Sequence, residues 1–400
     1  MFSTRLTVPT VAGALALALG LAACGSAEGG TESSSGPIKI GVVVPLTGPF
    51  SPLGIGDKAA IEQEVDRINA EGGVLGRDLE VTIKDDKTEV PQSVTEYNQM
   101  AADRSYTAIL SSSNVAASTA IGPSAESNRI PTIALGPVSA FKDGSNDYAF
   151  TCVAIPELYA EAAVDYLESE GIESLAIAYT SEDPYGKNGH AATVAAAEAA
   201  GIEVVVDEAI DVAATDFTAA ISKVKAAKPD AFLVWVAGPA SVIITKQFAG
   251  SGIPLIMTGA QASNLYVEPA GAEAEGVVMT SSIAVPGREL PAGPLKDAVD
   301  AFANPWLEQN DVYPPQFAFD GAAGIQLLVA AIEKAESTDR EKVRDALESL
   351  DVLTPIGRFQ FSEDDHGGIG KDAIAIVEVK DGDLKATPYS LEAFKASLPE

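Results

Sequence analysis

Bond-making chemistry needs a nucleophile with its base, a metal site or a cofactor loop, and this chain offers few residues for any of them. Its only cysteines are Cys24 and Cys152, and its only histidines, His190 and His366, lie far apart without the spacing of metal ligands. Neither a G-x-S-x-G elbow nor a G-x-x-x-x-G-K-[ST] phosphate loop occurs, and Gly54-Ile55-Gly56 lacks the third glycine of a dinucleotide loop. His190, in GKNGHAATV, reads as a solvated helix residue, and His366, in SEDDHGG, as part of a turn between strands. Cys152, beside Val153 and Ile155, reads as a buried small hydrophobe with an unpaired thiol. The expectation is a protein that is not an enzyme and carries no metal and no cofactor.

What the chain does offer is a polar loop suited to holding a small solute. Ala108-Ile109-Leu110 runs into Ser111-Ser112-Ser113-Asn114, and a helix starts at about Val115. A serine or asparagine is a good N-cap, which accounts for one of these four residues. The others fit a ligand cradle, because a helix N-terminus presents unsatisfied N–H groups and a partial positive charge. A carboxylate or another electron-rich group would bind well there.

The elements that must position this loop alternate regularly. Residues 38–44, IKIGVVV, read as a buried strand; Ile61, Val65 and Ile68 stand at helical spacing in a helix over 57–70, which Gly72-Gly73 ends. Leu79, Val81 and Ile83 alternate as the next strand, followed by helix 91–103, strand 106–110, helix 115–128 and strand 130–135. A second series runs helix 157–170, strand 174–179, helix 187–200, strand 202–206, helix 216–227, strand 230–236, helix 240–250 and strand 254–257. Such alternation means βαβ crossovers and parallel sheets, so the expected class is α/β with two doubly wound lobes parted near residue 152. In such sheets ligands sit beyond the carboxyl ends of the strands. The remainder is less regular: strand 276–281, helices near 294–310, 317–335 and 339–350, and strands near 358–361 and 374–379. These late elements must dock onto one lobe or both.

Composition narrows the partners. With 57 Asp and Glu against 26 Lys and Arg, the net charge is −31, which argues against nucleic acid and against an anionic membrane surface. At the N-terminus Arg5 precedes an apolar run over 11–21, too short to span a bilayer but right for a secretory signal. Leu21-Ala22-Ala23-Cys24 resembles the lipobox of bacterial lipoproteins, which implies cleavage before Cys24 and a lipid on that residue. Residues 1–23 would then be the signal peptide and 24–37, rich in Gly and Ser, a lipidated flexible linker. The expected location is extracytoplasmic, with the membrane touched through the lipid anchor alone.

Several segments, taken in order, resemble the branched-chain amino acid (Leu/Ile/Val) binding proteins of ABC importers. They are IKIGVVVPLTGPFSPLG, AIEQEVDRINAEGGVLGRDLEV, AESNRIP, YTSEDPYGK, DFTAAISKVKAAKPDAFLV, GAAGIQLLVAAIEKA and FQFSEDDHGG, and they cover nearly all of 38–385. The resemblance implies the type I periplasmic-binding fold: two Rossmann-like lobes joined by three crossover strands and closing on a ligand. Lobe one would be 38–152 plus 285–356, and lobe two 153–284 plus 357–400. It also implies ligand contacts from Ser112, Ser113 and Asn114, from Leu135, Gly136, Pro137 and Val138, from the first loop at Phe50 to Leu53, and from Tyr185. Tyr185 could equally pack over its own helix start.

The chain departs from that family in ways that bear on the ligand. Val138 stands where a threonine is usual, and Ala237-Gly238-Pro239 and Thr258-Gly259-Ala260-Gln261 lack the tyrosine and the acid that hold an α-ammonium. A buried ammonium without a counter-charge is costly. The expected solute is therefore an amino acid or, by preference, a carboxylate such as an aromatic acid, or an amide-bearing compound met by Gln261 near Gly238. The expected role is solute capture by a monomer that delivers to an ABC transporter permease, with a ligand sensor of the same fold as the alternative.

Overall fold

The computed structural model describes residues 36–396, so the expected signal peptide and the acylated Cys24 lie outside the described residues. In the first half, β1 (Ile38–Val44), α1 (Ser51–Ala70), β2 (Leu79–Asp85), α2 (Val90–Ala102), β3 (Tyr106–Ser111), α3 (Val115–Asn128), β4 (Thr132–Ala134) and β5 (Ala149–Thr151) follow one another. They form one sheet in the order β2-β1-β3-β4-β5, parallel throughout. Central strands such as β1, apolar and buried from Ile40 to Val44, have helices covering both faces of the sheet. Helix α1 begins two turns earlier than the hydrophobic spacing predicts. Pro52 is tolerated in a first turn, and at Gly54 a Cβ would lie 2.2 Å from the Pro45 carbonyl oxygen. The Gly54-Ile55-Gly56 cluster thus serves close packing of α1.

The second half repeats this pattern. It comprises α4 (Pro156–Ser169), β6 (Ser174–Thr180), α5 (Pro184–Ala200), β7 (Glu203–Ile210), α6 (Thr218–Ala227), β8 (Ala231–Trp235), α7 (Pro239–Phe248), β9 (Leu255–Met257), α8 (Asn264–Ala270) and β10 (Val278–Ser282). Their strand order, β7-β6-β8-β9-β10, mirrors that of the first sheet. Both sheets reverse direction of growth beside their first strand, which is where a doubly wound fold opens a crevice.

The last third completes both lobes. Helices α9 (Pro294–Asn310), α10 (Gln316–Ala335) and α11 (Arg340–Leu347) precede the hairpin of β11 (Asp351–Thr354) and β12 (Gly357–Gln360). Helix α10 lies along α1 so closely that a Cβ on Gly321 would come within 2.7 Å of the Asp57 carbonyl oxygen. Arg340, buried at the start of α11, donates to the carbonyl oxygens of Ala101, Asp103 and Tyr106 at 2.8–3.0 Å, tying α11 to the first sheet. The chain then crosses to the second sheet, where β13 (Ile374–Lys380) pairs antiparallel with β10 and β14 (Asp383–Ala386) pairs with β13. Helix α12 (Pro388–Ala396) ends the described chain.

Residues 357–366, assigned to lobe two from the sequence, pack with the first lobe. β12 is held by β11, Phe361 meets Phe150 edge-on at 5.4 Å, and His366 stacks on Phe150 at 3.9 Å. The crossing falls after His366. The crossing segments bond to one another, with Thr151 N–H donating to the His366 carbonyl and Ile283 N–H to the Ala373 carbonyl. His366 is fully buried and its Nδ1 donates to the Ala149 carbonyl oxygen at 2.9 Å, a structural role. His190 departs from the expected solvated residue: it stacks on Tyr179 at 3.7 Å and its Nε2 bonds Asp207.

Candidate functional site

The carboxyl ends of β1, β3 and β4 face those of β6, β8 and β9 across a cavity of about 50 Å³. At roughly 10–15 Å³ per water, that space suits a small solute. The first lobe contributes Phe50 and Leu53 from the start of α1, Ser113 and Asn114 after β3, and Leu135 and Pro137 after β4. The second lobe contributes Asp183 and Tyr185 after β6, Ala237 after β8, and Gly259 and Ala260 after β9. Val153 and Tyr159 follow the first crossing, and Gln316, Phe317 and Asp320 line it from the start of α10.

The loop after β3 divides its labour. Ser111 Oγ pairs with Ser118 Oγ at 2.9 Å, and Ser112 Oγ donates to Asp86 Oδ2 at 2.7 Å while accepting from Asn114 N–H. Asn114 Oδ1 caps α3 by accepting from Ala116 and Ala117 N–H. Ser113 alone is left over: its hydroxyl is buried, lines the cavity and makes no hydrogen bond. The expected cradle therefore reduces to Ser113 and the α3 N-terminus, with Ser112 holding the loop in shape.

Other expected contacts are relocated. Gly136 lets the loop after β4 approach, since a Cβ there would lie 2.6 Å from the Ser113 carbonyl oxygen, and Val138 is buried in the core. Tyr185 lines the cavity, and its hydroxyl donates to Thr258 Oγ1 at 2.7 Å. Gln261 does not reach the cavity. Its Oε1 accepts from Thr258 N–H and its Nε2 donates to the Val236 carbonyl oxygen at 2.8 Å, so its amide is spent on bracing the loop after β9. The capping-box pattern of Thr258 with Gln261 three residues on was the signal for this.

The largest departure concerns charge. The family's acid position is indeed empty, yet Asp183 and Asp320 both stand in the wall. None of the lining residues, among the described residues, is Lys, Arg or His. Burial pushes the Asp320 carboxyl well above the ordinary value, and nearby Asp57 pushes it further. Burial also raises Asp183, offset by the Tyr185 N–H that its Oδ1 accepts. The absence of the family's acid after β9 thus does not leave the wall without acids, for two carboxyls, both raised toward their neutral forms, stand elsewhere in it. The acids come from a helix cap and from α10, outside the stretches where the family keeps its own. The signal in the sequence was Asp320 standing inside the apolar run QFAFDGAAG.

Beside this cavity lies a second of about 360 Å³, which shares Leu53, Ala260 and Phe317 with it and is otherwise walled by Pro49, Pro52, Gly238, Pro239, Val242 and Tyr266 among others. The lobes also touch directly: Asn188 Nδ2 donates to Ser139 Oγ at 3.1 Å, and Gly238 faces the Phe50 ring. Gly238 has φ 73° and ψ −158°, and a Cβ there would lie 3.0 Å from Phe50 Cε1. Gly238→Ala combines backbone strain of about 1–3 kcal/mol with a clash between lobes. Calorimetry with the solute that co-purifies is expected to show binding weakened by at least about fivefold; unchanged affinity would show that the lobes need not meet there.

The model of the periplasmic binding protein family matches residues 37–383. The chain belongs to that family. Among its relatives, the Leu/Ile/Val-binding protein BraC3 of Rhizobium johnstonii is 27% identical over 333 residues, which is 82% of this chain and 88% of that protein. The leucine-, isoleucine-, valine-, threonine- and alanine-binding protein of Pseudomonas aeruginosa is 25% identical, over 82% of this chain and 86% of its own. An extracellular ligand-binding receptor from Rhodopseudomonas palustris HaA2 superposes with a TM-score of 0.81 at 20% identity, over 88% of this chain and 99% of that one. This periplasmic binding protein is thus similar in sequence to Leu/Ile/Val-binding proteins and has the two-lobed fold of its class. Its relatives are solute-binding proteins that work outside the cytoplasm. Among the described residues no helix is long and apolar enough to cross a membrane.

Proposed function

We propose that this protein captures a small solute between its lobes and delivers it, as a monomer, to the permease of an ABC importer. The observation that carries this is a cavity walled by the strand ends of both lobes. A solute touching both lobes stabilises the closed arrangement over any open one, which is what a closure signal to a permease requires. Ser113 and the α3 N-terminus offer donors to a carboxylate or carbonyl, and Leu53, Leu135, Val153 and Phe317 take an apolar portion. Asp183 and Asp320, both raised toward their neutral forms by burial, add polar groups to this wall that a solute of amino-acid size could meet.

Native mass spectrometry of freshly purified protein tests this. The expected spectrum shows one added small mass that disappears on denaturation. Adding that compound at about 100 times its Kd then stabilises the fold by about 2.7 kcal/mol. A protein that carries no solute, and that no compound from a broad solute panel stabilises, contradicts the proposal.

Delivery to a permease in the same membrane is served by the lipid on Cys24. Cys24→Ser is expected to release the protein into the soluble extracytoplasmic fraction with solute affinity unchanged. Retention of that variant in the membrane fraction would show that something else anchors it.

A further inference from the structure

Two buried carboxyls meet behind the cavity wall. Asp57 lies on α1 and Asp320 on α10, where the helices touch at Gly321. Asp57 is fully buried and neither of its carboxylate oxygens makes a hydrogen bond; Asp320 is 3% exposed, and its Oδ1 is likewise unpartnered. The Ser113 hydroxyl beside Asp57 favours its charged form but stands outside hydrogen-bonding geometry. Of the two, Asp320 reaches the cavity.

The surroundings contain nothing to neutralise them. From the first crossing, the Cys152 thiol donates to the Asp320 main-chain oxygen and is itself raised by burial and by both acids. Tyr159, from α4, is raised by burial and then by Asp320, and from the second lobe come Asp183 and Tyr185. An unpaired buried carboxylate pair is not tolerated, so at least one proton stays on it while the cavity is empty. Fold stability gains nothing from such a pair, whereas a ligand would.

We infer that Asp320, backed by Asp57, seats a protonated nitrogen of the solute, and that seating it expels one proton from the pair to solvent. This rests on the solute-receptor reading above and narrows its solute to one with a basic nitrogen. The O–H bond of one carboxyl breaks, its electron pair stays on the carboxylate, and the proton passes to water or buffer. The nitrogen keeps its own protons, so a cation enters as a proton leaves. Affinity then rises with pH, by up to about tenfold per unit while the pair remains protonated.

Calorimetry at pH 6 and 7, in buffers of different ionisation enthalpy, tests this with L-leucine, 3-methylbutylamine and 4-methylpentanoate. The three share a 3-methylbutyl chain and differ in which charged groups it carries. The expected result is binding by an amine-bearing probe with release of close to one proton, and a loss of more than tenfold in affinity in Asp320→Asn. Asp57→Asn is expected to stay folded and to release less proton on binding, with a flatter dependence of affinity on pH than the parent. Proton uptake or no exchange on binding overturns the inference, as does failure of both amine-bearing probes to bind. Binding of 4-methylpentanoate alone leaves a solute receptor standing and this inference fallen; absence of any co-purified or panel solute fells the receptor reading itself.

Discussion

Gly189→Ala is expected to destabilise the protein by about 1–3 kcal/mol, the usual cost of overpacking a filled core, and to weaken solute binding as well. A Cβ at Gly189 would lie 2.2 Å from Cε3 of Trp235 and 2.3 Å from its Cδ2. Trp235 cannot retreat easily: it is fully buried, and its Nε1 donates to Thr193 Oγ1 at 2.8 Å. Its other neighbour is Tyr185, edge-on at 5.2 Å, which lines the cavity and bonds Thr258. Pushing the indole therefore either breaks the Thr193 bond or drives Tyr185 toward the solute. Denaturant unfolding, followed by the fluorescence of Trp235 and Trp306, checks the stability; calorimetry checks the affinity. A variant equal to the parent in both would show that the α5 helix can slide away from β8, against the packing described.

Asp57→Asn is expected to act in the opposite direction, raising stability at neutral pH by about 1–3 kcal/mol. Burial, the largest cause, pushes the Asp57 carboxyl well above its ordinary value of 3.8. A group whose pKa is raised by folding binds its proton more tightly in the folded state. Stability is then greatest below about pH 3.8 and falls as pH rises from there to the raised value. Asparagine has no such slope, so the variant and the parent should converge near pH 4 and separate as pH rises. Thermal melts of both proteins from pH 4 to 8 check this. Parallel curves, or a variant weaker at pH 7 than at pH 4 relative to the parent, would mean that Asp57 is paired in the native state.

Much of the scaffold could be read from periodicity, because strands such as β1 and helices such as α2 obey one strong pattern each. The two series of alternating elements give the two sheets directly. What escaped were short or context-made pieces. β5 has three residues and β14 four, and both exist by pairing with a neighbour rather than by their own pattern. The first turn of α1 was hidden by Pro52 and Gly54, which look like a loop until Pro45 is seen against Gly54. The hairpin of β11 and β12 moved the last crossing from 357 to beyond His366 for a similar reason: Phe150 holds Phe361 and His366 from a distant part of the chain.

The site was legible where a loop follows a strand and obscure where a helix supplies the side chain. Phe50, Leu53, Ser113, Asn114, Leu135 and Tyr185 all come from strand-end loops or the helix starts beside them, and the structure brings them to one cavity. Gln261 was misplaced because a glutamine in a strand-end loop can face the solute or its own backbone, and here Val236 claims it. Asp57 and Asp320 lie more than 260 positions apart and only the packing of α10 on α1 brings them together. In a chain with 57 acidic residues, Asp320 stands out only by the apolar run around it, and Asp57 not at all.

The central claim is that the lobes close on a solute held by both. Glu126 on α3 and Glu198 on α5 are exposed, and their helices pack against each other across the lobes. Spin labels placed at these positions through cysteines leave Cys152 untouched, since that thiol is buried. After the solute is removed by unfolding and refolding, the distance between the labels should be long and broadly distributed. Returning the solute should shorten it to one narrow population that matches the closed arrangement. A distance that stays the same with the solute bound and with it removed would contradict the account.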